Sequence, residues 1–132
     1  MIRWVFGGTA VGKKTWIRRR LRRCRKFKTV WMYDGPITEN DQAILESGIP
    51  LLVRWQWGRE RKIVELLRDR PDLIQSIVLI SASIETQLKR VAKREGEQKW
   101  SEENLVGEAK RIRKLVSRLG ERFGMPIEEI TT

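Results

Sequence analysis

The stretch that most constrains this chain is Gly7-Gly8-Thr9-Ala10-Val11-Gly12-Lys13. It follows the apolar run Ile2–Phe6, which reads as a buried strand, and precedes a helix from Lys13 whose stripe is Ile17, Leu21 and Cys24. Strand, Gly-x4-Gly-Lys loop and helix in that order are the frame of a P-loop. The glycines let backbone N–H groups turn inward around a phosphate, and the helix N-terminus adds its positive dipole end. Lys13 then reaches the β/γ oxygens, and Thr15, two positions further on, supplies a hydroxyl for Mg²⁺. Gly7, Gly8, Thr9, Ala10, Val11, Gly12, Lys13, Lys14 and Thr15 are therefore the expected ATP-binding residues. An ordinary Gly-rich turn with a chance Lys is the alternative, and the flanking strand and helix argue against it.

Strands and helices alternate along the rest of the chain. Thr29–Tyr33, Leu51–Trp55 and Ile77–Ile80 read as strands, and Pro126–Ile130 as an edge strand. Thr38-Glu39-Asn40-Asp41 resembles a capping box that starts a short helix through Glu46. Another helix carries Ile63, Val64, Leu66 and Leu67 and stops before Pro71. Ser83 and Ser101 are expected to cap two more, the first with the stripe Ile84, Leu88, Val91 and the second running to Gly120 or Gly124. The pattern predicts a three-layer α/β/α fold with a five-stranded parallel sheet in the kinase-type strand order, as one domain over 1–132.

Charge is distributed unevenly. Residues 1–33 hold 11 Lys/Arg and no Asp/Glu, so the whole net charge of +11 lies in the first quarter of the chain. The segment Arg18–Lys28 is a candidate nucleic-acid contact, and a solvated helix face is the other reading. A single Cys and no His exclude an internal disulfide and a Cys/His metal site, and fit a reducing, cytoplasmic setting. No apolar run reaches membrane-spanning length.

Val11-Gly12-Lys13-Lys14-Thr15 resembles the Val-Gly-Lys-x-Thr of guanylate kinases, within the nucleoside monophosphate kinase superfamily. Gly48–Gly58 is similar to the strand that carries that family's acidic Walker B position, and Ile77–Arg94 to its next strand and helix. Arg90 and Arg94 match its Arg-x3-Arg, and Arg111 matches the arginine after the lid, here a segment at about 95–101. The resemblance implies a phosphotransferase that uses ATP and Mg²⁺, with Lys13, Arg90, Arg94 and Arg111 on the transferring phosphoryl.

The sequence departs from that family at two places. Trp55 stands at the acid position, and no carboxylate lies on Leu51–Gly58. Gly35–Ile49 is far too short for the family's GMP-binding subdomain. Asp34, at the end of the second strand, is the candidate catalytic base and metal partner, or else a turn residue before Gly35-Pro36. Two functions follow: transfer of the ATP γ-phosphate to a nucleotide or a nucleic acid 5′-hydroxyl, or a catalytically reduced nucleotide-binding or interaction module. Trp4, Trp31 and Trp55 are expected in the core, and Trp100 to pack or to stack on a base.

Overall fold

A computed structural model describes residues 2–24, 26–31, 38–55, 60–94 and 100–132. Asp34 and most of the expected lid segment lie outside them.

The strands are β1 (Ile2–Gly7), β2 (Lys28–Trp31), β3 (Leu51–Arg54), β4 (Ile74–Ser81) and β5 (Ile127–Thr131). They form a single parallel sheet in the order β2-β3-β1-β4-β5. The central strand β1 is buried at every position except the partly exposed Arg3. A parallel strand covered on both faces has to be apolar nearly throughout, which is why Ile2–Phe6 does not alternate.

The helices are α1 (Lys13–Arg23), α2 (Glu39–Glu46), α3 (Glu60–Asp69), α4 (Ile84–Ala92) and α5 (Glu102–Phe123). They cover both faces of the sheet. On one face Trp4, Phe6, Val53, Trp55 and Leu79 pack with Leu45 of α2, Ile63 and Leu67 of α3, and Ile112, Val116 and Leu119 of α5. On the other, Val5, Leu52, Val78 and Ile80 pack with Ile17 of α1. The three expected layers are present.

Local signals set the boundaries. Thr38 and Asp41 form a reciprocal capping box, and Ser83 and Ser101 accept from the amides of Thr86 and Asn104. Gly124, in the left-handed region at φ 62°, closes α5. The strand β4 starts at Ile74, three residues earlier than the apolar pattern indicated, because the 3-10 turn Pro71–Leu73 feeds straight into the sheet. The strand β5 starts after Pro126, whose carbonyl accepts from Ile77 at 3.0 Å while its ring nitrogen has nothing to donate.

Candidate phosphate-binding site

All five strands run in one direction, so the loop after β1 opens at their carboxyl ends, where α/β sheets place ligands. The loop's backbone is held in a defined orientation. Lys13 Nζ donates to the Gly7 carbonyl at 3.0 Å, Gln87 Nε2 to Thr9 at 2.8 Å, and an Arg90 guanidinium nitrogen to Ala10 at 3.0 Å. Thr132 Oγ1 donates to Val11 at 2.7 Å, and the Gly12 carbonyl is taken by the amide of Trp16. These bonds fix the loop carbonyls, while the Thr9 amide is taken by Glu108 Oε1 at 2.6 Å. Ala10 at φ 57° and Gly12 at φ 87° alternate with right-handed or extended residues, the backbone pattern of an anion-binding nest.

The start of α1 adds to this. Gly12, its N-cap, has no side chain to offer, and its first turn has no acid, whereas Thr38, Ser83 and Ser101 cap α2, α4 and α5. Helix-end amides without a side-chain cap attract an external anion. Glycine is required at two positions. A Cβ on Gly7 would stand 2.7 Å from Val11 Cγ2, and Gly12 occupies the left-handed region with Arg90 3.4 Å from its missing Cβ.

The loop borders a cavity of about 830 Å³. Its wall includes Lys13, Lys14, Arg18, Arg54, Arg94 and Arg111, with Glu108 as the one carboxylate among the described residues. Thr15 and Trp100 also line it. So many cations around a concavity focus potential on an anionic ligand. Lys13 also donates to the Trp55 carbonyl at 2.9 Å and lies 5.3 Å from the centre of the Trp55 ring. Burial pushes its ammonium down to about 7, Arg54 and Lys14 push the same way, and Glu108 opposes them.

The cavity brings together Lys13, Thr15, Arg94 and Arg111, as the sequence indicates, but not Arg90. The helix α4 ends at Ala92, so Arg94 lies beyond it and does not continue the face of Arg90. Arg90 instead bonds Ala10 and Thr132, which makes it a support of the loop rather than part of the cavity wall. Trp55 is fully buried and stacks on Phe6 with ring centroids 5.2 Å apart, the core position expected of it. Both its carbonyl and its ring face the Lys13 ammonium.

Glu108, Gln87, Arg54 and Thr132 were not anticipated. Two of them had a signal in the sequence. Glu108 falls between Leu105 and Ile112 on the buried stripe of α5, and Gln87 between Ile84 and Val91 on that of α4. A polar residue at a core position requires a partner, and the loop backbone provides both partners.

Solved structures share features of this fold. The chain resembles a protein in a structure of the Pnkp1/Rnl/Hen1 RNA repair complex, with TM-score 0.60 and 14% identity over 89% of this chain. The likeness is one of fold, a parallel sheet with helices on both faces. The chain spans 45% of that protein's length. Deoxyadenosine kinase from M. mycoides aligns at TM-score 0.45 and 13% identity, over 98% of this chain and 89% of the kinase. No protein-family model matches the sequence, and no curated protein does.

Among the described residues no helix is long and apolar enough to cross a membrane. Nor does any group of three or more His, Cys, Asp or Glu gather among them to hold a metal. Thr9 and Thr15 both place hydroxyls on the cavity wall.

Proposed function

We propose that this chain is an ATP-dependent phosphotransferase of the nucleoside monophosphate kinase type, acting on a nucleotide or on the 5′-hydroxyl of a nucleic acid. The observation that carries the reading is the loop between β1 and α1, whose carbonyls are tied away while Lys13 reaches into the cavity. The loop amides and Lys13 bind the β- and γ-phosphates. Thr15 would hold Mg²⁺, which when bound would supply neutralisation of charge on the phosphoryl group. Arg94 and Arg111 stand on the same cavity wall and stabilise the phosphoryl as its bonds exchange. Asp34 follows β2, whose carboxyl end lies on the ligand side of the sheet, and accepts the acceptor's proton or helps hold the metal. The acceptor site is open, since Gly35–Ile49 is too short for the GMP-binding subdomain of guanylate kinases.

Arg18 gives the nucleic-acid option a physical basis. It belongs both to the basic segment Arg18–Lys28 and to the cavity wall, so a phosphate backbone lying on α1 leads into the site. Labelled ATP offered with mononucleotides and with 5′-hydroxyl oligonucleotides tests the reaction. Transfer to one of them is expected, and no transfer to any acceptor with ATP bound overturns it. A second reading, a nucleotide-binding module without catalysis, is favoured by the buried indole of Trp55 at the acid position. It predicts that same negative result.

A further inference from the structure

The reaction outlined above gives Glu108 no part. This residue of α5 is 4% exposed. Its Oε1 accepts from the Thr9 amide at 2.6 Å, and Oε2 lies 3.3 Å from Thr9 Oγ1. The carboxylate is pressed against the loop, since a Cβ on Gly8 would stand 2.6 Å from Oε1. A buried charge needs strong partners, and a charge-assisted bond to a backbone amide is one. Here that amide belongs to the phosphate loop. An N–H that suits a carboxylate oxygen suits a phosphate oxygen for the same reason, so an internal anion already sits on the loop.

We propose that Glu108 is a specificity-determining residue, a built-in anion that opposes the terminal phosphate of the ligand at the Thr9 end of the cradle. This rests on the reading of the loop as a phosphate cradle. Like charges repel, and the repulsion grows with the charge brought in. Thr9 precedes Gly12–Thr15 by three to six residues along the loop, so a shorter phosphate chain seated on the helix end would meet the carboxylate less. Glu108 therefore penalises a triphosphate more than a diphosphate. Loss of the γ-phosphate on transfer relieves the repulsion and returns the carboxylate to Thr9.

Calorimetric titration of the full chain with ATP and with ADP, both with Mg²⁺, tests this in wild type, Glu108→Gln and Glu103→Gln. Glutamine keeps the volume and an acceptor for the Thr9 amide, and Glu103 is an exposed glutamate of the same helix that controls for bulk charge. Glu108→Gln is expected to tighten ATP by about tenfold or more and ADP by less than about threefold, while Glu103→Gln changes neither. Equal tightening of both ligands, no change, or weaker ATP binding overturns the inference and leaves the cradle reading standing. Binding of neither nucleotide by any variant overturns both. Should Glu108→Gln fail to fold, the amide resonance of Thr9 in wild type decides: ATP should shift it more than ADP does, and equal shifts contradict the proposal.

Discussion

Lys13 donates to the main-chain carbonyl of Trp55 at 2.9 Å while its ammonium lies 5.3 Å from the centre of that residue's ring. The cation is thus parked against the end of β3, on a partner that has a carbonyl and a π face but no negative charge. Burial and the nearby Arg54 depress its proton affinity, and a phosphate arriving in the cavity would restore it.

A pH dependence follows. The folded value of about 7 lies below the ordinary 10.5, so the folded chain binds fewer protons than the unfolded chain between those values. The Lys13 contribution to stability should therefore rise as pH increases through that window, and the burial penalty should be fully present below it. The unfolding free energy of wild type minus that of Lys13→Met, measured from pH 6 to 10, should climb with pH. A flat difference contradicts the depressed value. Nucleotide binding near pH 8 should also take up close to one proton, visible as a buffer-dependent binding enthalpy that Lys13→Met lacks.

Trp55 is a core residue, and restoring an acid there should not restore a missing function. Trp55→Asp removes the stack on Phe6 and buries a carboxylate in its place, costing about 3–5 kcal/mol or more. Urea unfolding reads this directly. A stable Trp55→Asp variant with a new Mg²⁺ dependence would show that the indole is dispensable.

Arg90 and Arg111 should separate. Arg90→Ala releases the Ala10 carbonyl and is expected to cost about 1–2 kcal/mol of stability, with nucleotide affinity falling because the loop loosens. Arg111, exposed on α5 at the cavity wall, should lower transfer when changed to Ala, with a smaller effect on unfolding. Thermal unfolding beside initial rates distinguishes the two, and identical profiles would contradict the separate roles.

Much of this was legible in the residues. The Gly7–Thr15 motif marked a loop between β1 and α1 whose backbone requires glycine at positions 7 and 12. The alternation of apolar runs and capped stripes gave the layers and the strand count. The Arg90–Arg94 pairing misled, because i,i+4 spacing places two side chains on one face only while the helix continues, and α4 stops at Ala92. Glu108 and Gln87 were present as polar breaks in apolar stripes, yet their partners lie 99 and 78 residues away, and spacing within a helix says nothing about contacts at that range. Thr132 had no local signal, since its role comes from where β5 ends beside the loop.

In the proposed function the loop between β1 and α1 cradles the phosphates of ATP. Calorimetric titration of wild type and Lys13→Ala with ATP and Mg²⁺ tests it most directly. One ATP per chain is expected, with affinity about 30- to 100-fold weaker in Lys13→Ala, the loss of a charge-assisted contact. ATP binding that is undiminished in a folded Lys13→Ala variant, or absent from wild type, would contradict it.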